Sequence, residues 1–133
     1  MERLRARAAE LLAAEDPFLM AGDYNVIPTA RDAARPEAWR QDALFLPETR
    51  AAYQRLTNLG LTDALRARTQ ARDLYTYWDF QQGAWQRNDG IRIDHILLSP
   101  QAADLMKDVG IDKDIRARDK PSDHVPIWVE LTA

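Results

Sequence analysis

Residues 18–25, Phe-Leu-Met-Ala-Gly-Asp-Tyr-Asn, decide how this chain is read. Phe18 to Ala21 form a short apolar run behind a helix stop at Pro17, too short for a core helix, which predicts a buried strand. Gly22-Asp23-Tyr24-Asn25 then puts acceptor-rich side chains at the strand's end. Residues two apart on extended backbone project to the same side, so Asp23 presents a charged acceptor beside Asn25, a neutral donor and acceptor. Such a pair suits a phosphate, a water or a metal. Gly-Asp-x-Asn is equally ordinary turn chemistry, and only partners elsewhere in the chain decide between the two.

Upstream, Leu4, Ala8, Leu11 and Leu12 share one stripe with Arg3, Arg7 and Glu10 off it, predicting an amphipathic helix over residues 1–15. No capping residue precedes it, as expected of a helix that starts further upstream. Downstream, residues 28–47 are rich in Arg, Asp, Ala and Pro around Trp39 and Phe45 and read as a long surface loop with one helical turn. Pro47 and Glu48 open a second helix, Tyr53, Leu56 and Leu59 give its buried face, and Gly60 stands past its end. Thr62-Asp63-Ala64-Leu65 makes a short helical or turn segment, with Arg66, Arg68 and Arg72 read as a solvated face or a patch contacting a phosphate backbone. Residues 75–80 are aromatic and β-branched and predict a strand, with a turn over 81–90.

Residues 91–98, Ile-Arg-Ile-Asp-His-Ile-Leu-Leu, predict a further strand. A buried Asp94 within it needs a cation or hydrogen-bond donors, because alone it would cost several kcal/mol or take up a proton. Ser99 and Pro100 cap and open a helix to about residue 107, and residues 109–116 and 125–131 predict two more strands, the first nearer an edge. Just before the last strand stands Lys120-Pro121-Ser122-Asp123-His124, a turn that can point two different groups into one cleft. Three strand ends thus carry Asp23 with Asn25, Asp94, and Asp123 with His124, and strand ends distant in sequence commonly meet at one rim of a sheet. Three aspartates within about 5 Å would repel by roughly 3 kcal/mol per pair, which a divalent cation or a protonated histidine would relieve.

Bulk properties narrow the class. The 133 residues make one domain or less, able to bury about two-thirds of the unfolded chain's surface. With 46% hydrophobic and 29% charged residues and a net charge of -3, the composition is that of a soluble globular protein rather than a disordered tail. The absence of cysteine excludes disulfides and thiolate metal sites. No run approaches the roughly 20 apolar residues of a membrane span and no targeting signal is visible, so a cytoplasmic protein without a membrane partner is expected. The acidic balance requires any nucleic-acid partner to be attracted by local arginine clusters.

Gly22-Asp23-Tyr24-Asn25-Val26, Arg92-Ile93-Asp94-His95-Ile96-Leu97 and Pro121-Ser122-Asp123-His124-Val125-Pro126 resemble, in order and spacing, the later motifs of the exonuclease III type of apurinic/apyrimidinic DNA endonucleases in the endonuclease/exonuclease/phosphatase superfamily. Phe45-Leu46-Pro47-Glu48, Asn58-Leu59-Gly60-Leu61-Thr62-Asp63 and Tyr77-Trp78-Asp79-Phe80 extend the resemblance over essentially the whole chain. It implies an α+β fold, the second half only of a four-layer α/β/β/α sandwich of the deoxyribonuclease I type, with residues 1–133 as the carboxyl-terminal half of the domain. The implied part is one sheet with some of its helices. It also implies a magnesium-dependent phosphodiesterase of base excision repair, with Mn2+ as a possible substitute, acting on double-stranded DNA at abasic sites or 3' ends.

By resemblance, Asp23 aligns or deprotonates the attacking water, Asn25 orients it and contacts the scissile phosphate, and His124 binds that phosphate. Asp94 holds the His124 imidazole, Asp123 helps hold the ion, and Tyr77, Trp78 and Phe80 form an aromatic wall for an extrahelical abasic sugar, unless these aromatics are core. Gln81 departs from the basic residue found at its position in the best-known bacterial members. The family's first half has no counterpart here, so an inner sheet face of several hundred Å2 is expected to lack its cover, at about 25 cal/mol per Å2, favouring self-association or a separate amino-terminal half. A catalytically incompetent half-domain is one alternative. A phosphatase or sphingomyelinase of the same superfamily is another, since these also use Gly-Asp-x-Asn and Ser-Asp-His.

Overall fold

The computed structural model describes residues Met1–Ala133. Its strands are β1 (Leu19–Asp23), β2 (Thr62–Asp63), β3 (Asp94–Leu98), β4 (Met106–Ile111) and β5 (Ile127–Leu131). Its helices are α1 (Glu2–Ala13), α2 (Pro47–Thr57), α3 (Ala64–Arg68) and α4 (Pro100–Asp104). The strands form two ladders rather than one sheet: β1-β3-β2, and β4-β5, each antiparallel. In the first, β3 is the centre, and Leu19 faces Leu98, Ala21 faces Ile96 and Asp23 faces Asp94. That register brings two of the expected site carboxylates side by side at one end.

Strand parity then sorts the core. Met20 and Leu97 turn towards α1 and α2 and join a cluster of Ala8, Val26, Tyr53, Leu56 and Leu61, with Leu4 and Leu12 from the predicted stripe of α1 packed against it. The opposite face of β3, Ile96 and Leu98, packs with Ala64 and Ala102 against Val109, Ile127 and Val129, which couples the two ladders through side chains. The local signals behave as expected. Pro47 opens α2, Ser99 Oγ accepts from the Ala102 amide and caps α4, and Asp63 accepts from the Arg66 amide at the start of α3.

Several expectations change. The helix from Pro100 stops at Asp104 rather than near 107, the strand expected over 109–116 runs instead over Met106–Ile111 with a 3-10 turn at Lys113–Ala117, and Thr62–Asp63 pairs as a short strand. Strand β1 is not buried: it is an edge strand, Leu19 is 41% exposed, and Ala21, Gly22 and Asp23 are exposed as well. Apolar composition predicts burial only if a partner covers the face, and the β4-β5 ladder does not extend over β1. Residues 75–80 form no strand. Tyr77 makes isolated bridges to Ile91 and to His124, and neither pairing extends to its neighbours as a ladder. Arg66 is not part of a solvated face, being only 14% exposed in its side chain and paired with Asp32 at 2.6 Å.

Candidate active site

The site is built where β1 ends beside the start of β3 and the residue 121–125 turn closes over them. Asp23 is the last residue of β1, and two backbone features aim the chain there. Gly22 has φ +148°, which needs the missing Cβ, and Asn25 adopts a left-handed φ of +50° that asparagine tolerates. The Asn25 amide donates to Asp23 Oδ1 at 2.8 Å. Gly-Asp-x-Asn therefore does form a turn, and that turn fixes the Asp23 carboxylate at the end of β1.

Asp94 opens β3 and is seated by Thr76, a fully buried residue that the sequence reading passed over. Thr76 Oγ1 accepts from the amides of Ile93 at 3.1 Å and Asp94 at 3.2 Å. Its own carbonyl accepts from the Val125 amide at 2.9 Å, and the Asp123 carbonyl accepts from the Trp78 amide at 3.0 Å, so the residue 75–78 segment holds the turn bearing His124 against β3. His124 Nδ1 lies 2.9 Å from Asp94 Oδ2, and Nε2 lies 3.8 Å from Asp23 Oδ2. Tyr77 meets the imidazole edge to face at 5.2 Å. The expected convergence of three strand ends is thus realised by Asp23, Asp94 and His124.

Those three offer ligand atoms all within 4.8 Å of one another, a donor set of two carboxylates and one imidazole that could hold a divalent ion. Asp123 is not one of the three; its carboxylate accepts from Ser122 Oγ at 3.4 Å. Asn25 is exposed at the rim. Of the expected aromatic wall, Tyr77 is half-buried beside His124 and Phe80 is 62% exposed. Trp78 is the correction: it is fully buried with Tyr75 and Val125, and its Nε1–H donates to Asn88 at 3.0 Å, so its ring belongs to the core and meets no ligand. A tryptophan in an aromatic run carries no sign in sequence of which way it faces.

Electrostatics follow from burial and pairing. Partial burial by itself lowers the affinity of His124 for a proton, but the hydrogen bond and charge of Asp94, with Asp23 and Asp123 nearby, outweigh it and the net shift is upward. Asp94 is moved upward by burial, against the pull of its bonds to His124 and Thr76. Between the two titrations the pair exists as carboxylate and imidazolium. Nδ1–H then donates to Asp94, and Nε2–H faces Asp23 and the open side.

Two residues before Asp94 lies a second charged group of different character. Arg92 is 1% exposed and donates through Nε to Asp32 Oδ1 at 2.7 Å and through both Nη atoms to Asp63 at 3.2 and 2.8 Å. Asp32 also accepts from Arg66 at 2.6 Å and from the Thr29 amide and hydroxyl at 3.1 and 3.0 Å. Burial would raise both carboxylates, but the arginines reverse it and hold them below the usual range. This group ties the residue 29–32 turn and α3 to the start of β3.

The family profile described as Endonuclease/Exonuclease/phosphatase matches residues 1–124. The chain belongs to this family. It is 43% identical over 123 residues to exodeoxyribonuclease III of Haemophilus influenzae, covering 87% of this chain and 46% of that protein. Among solved structures it resembles a 3'-5' exonuclease of Neisseria meningitidis (36% identity, TM-score 0.90, 96% of this chain and 50% of the other). It also resembles an AP endonuclease of Archaeoglobus fulgidus (31% identity, TM-score 0.92, 99% and 52%). The α+β architecture is therefore part of the deoxyribonuclease I-like α/β/β/α sandwich. The chain spans about half the length of the relatives it matches.

Proposed function

We propose that this chain carries half of the machinery of a metal-dependent DNA phosphodiesterase, acting on duplex DNA at abasic sites and 3' ends in the cytoplasm. The observation that carries the reading is the His124 imidazole, held by Asp94 at 2.9 Å with its other nitrogen turned towards Asp23 at 3.8 Å. A proton-bearing Nε2 suits a phosphate oxygen, and a carboxylate across from it suits the proton of an attacking water. The names of the relatives, an exodeoxyribonuclease III, a 3'-5' exonuclease and an AP endonuclease, support DNA as substrate. No helix is long and apolar enough to cross a membrane.

In this reading Asp23 aligns the water and takes its proton, Asn25 orients it, His124 binds the scissile phosphate, and Asp94 keeps the imidazole protonated and aimed. Asp94 is thus a positioning residue. The ion, Mg2+ by its preference for hard oxygen ligands with Mn2+ as a substitute, would be held by carboxylate oxygens: those of Asp23 in the converging group, with Asp123, which stands outside that group, as the ligand the resemblance implies. When bound, such an ion would offset the charge that develops on the phosphate. An imidazolium cannot also ligate a metal, so the protonated His124 leaves the ion to the oxygens. Tyr77 and Phe80 are the aromatic surfaces available to an extrahelical sugar.

A second element of the proposal comes from the open edge of β1 and from coverage of about half of each relative. Full activity would require the polypeptide that fills the other half in those relatives, joined to this chain or supplied separately, or else self-association. The test is cleavage of a duplex oligonucleotide carrying one abasic analogue, with Mg2+ and then with EDTA. Mg2+-dependent incision by this chain that disappears in Asp23→Asn is the expected result for an assembled site. Wild-type rates in both Asp23→Asn and His124→Asn would overturn the assignment.

A further inference from the structure

The mechanism above leaves one chemically capable residue of β3 unused. His95 is 1% exposed, projects to the face of β3 opposite Asp94, and lies between Tyr24 and Tyr53 with ring centroids 5.7 and 5.1 Å away. Its Nε2 stands 3.0 Å from the carbonyl oxygen of Val26. A carbonyl only accepts, so Nε2 carries the proton, and the buried Nδ1, which has no partner, is the bare nitrogen.

The bond falls at a sensitive place. Val26 directly follows Asn25, whose φ of +50° is the left-handed step of the site loop. The backbone on either side is anchored: the Tyr24 amide donates to Ile93 at 3.0 Å and the Ile27 amide to Leu44 at 2.9 Å. The His95 imidazole grips the Val26–Ile27 peptide from its carbonyl side while Leu44 holds its N–H, so the chain is fixed one residue beyond Asn25. Packing between two tyrosines does not require an imidazole, since a leucine side chain is apolar and of similar size. What only a donor supplies is the bond to a carbonyl that is otherwise buried without a partner.

We propose that His95 is a positioning residue that holds the Val26 carbonyl, and through it the left-handed turn at Asn25 and the aim of Asp23 and Asn25 into the site. The proposal rests on the reading that Asp23 and Asn25 act on the water and the phosphate. His95→Gln keeps an N–H donor near the place of Nε2, whereas His95→Leu fills the space without one. Two readouts apply to each: the position and hydrogen exchange of the Asn25 and Val26 amides by NMR, and kcat and KM on the abasic duplex. In His95→Leu the amides shift and exchange faster and kcat falls roughly 10²-fold with KM little changed, while His95→Gln stays within about threefold of wild type. Unmoved amides in His95→Leu would overturn the proposal, as would His95→Gln behaving as badly as His95→Leu. Moved amides with unchanged kcat would uphold the grip on the loop and overturn the catalytic roles of Asp23 and Asn25 instead. The amides decide the matter in a sample that does not cleave, and if His95→Leu fails to fold, His95→Asn, whose donor stops short of Val26, replaces it.

Discussion

Arg92 and Asp94 are two residues apart, yet they belong to charged groups that behave in opposite ways. The Arg92 group is largely buried and saturated: two aspartates face two arginines, and Asp32 and Arg92 are each 1% exposed. The Asp94 group is open: the His124 side chain is 32% exposed and that of Asp23 39%. Its two carboxylates share one imidazole, so it keeps spare acceptors and a donor facing solvent. Saturation makes the first group a staple for β3. Incomplete saturation leaves the second free to engage a ligand, because a bond already satisfied within the protein is not available for chemistry.

The comparison breaks most visibly at Arg92. Replacing it by methionine removes the cation that Asp32 and Asp63 share, leaving Asp32 to Arg66 and Thr29 and Asp63 without a charged partner, and urea unfolding is expected to show a loss of about 3 kcal/mol. A loss below about 1 kcal/mol would mean that water reaches the group. Asp94→Asn should do the reverse. Stability should change by no more than about 1 kcal/mol, abasic-duplex cleavage should fall by roughly 10²-fold or more, and NMR should show His124 titrating lower once its carboxylate partner is gone.

The two histidines sharpen the contrast through pH. Burial pushes His95 down to about 4, with Arg92 adding to the effect. A folded value below the unfolded one means that the unfolded chain binds protons first, so the contribution of His95 is intact above about pH 6.5 and erodes below it, by about 2 kcal/mol between pH 7 and 5. His124 is shifted upward, so its smaller, solvent-screened contribution is full below pH 6.5 and fades as pH rises through its folded value. Thermal melts across pH should therefore lose their acid-side slope in His95→Gln and their alkaline-side slope in His124→Asn. The smallest effect belongs to the surface: the Arg7–Glu10 pair has side chains 63% and 69% exposed, and Arg7→Ala should leave the melting temperature unchanged.

Much of the molecule was legible in the chain. The stripe of α1, Pro47 at the start of α2 and the Ser99 cap of α4 are local signals that need no distant partner. Asp23, Asp94 and His124 were also readable as strand-end polar residues and as parts of an ordered motif set. Trp78 and Phe80 were not separable, since exposure depends on what packs above each ring. Asp32 and Arg66 looked like the loop and surface charges that their neighbours are, because they stand 34 residues apart from each other and Arg92, the second partner of Asp32, stands 60 residues away.

By itself, the order of residues determined the elements and the chemistry on offer: apolar periodicity sets helix and strand, and side-chain type sets which groups can donate, accept or titrate. Tertiary structure alone decided which of those groups share a space. It made His124 a partner of Asp94 through Thr76 and Tyr77, turned Arg92 into a buried staple, and set His95 under the turn at Asn25. Hydrogen bonds and burial act over a few ångströms, a distance that separation along the chain does not encode.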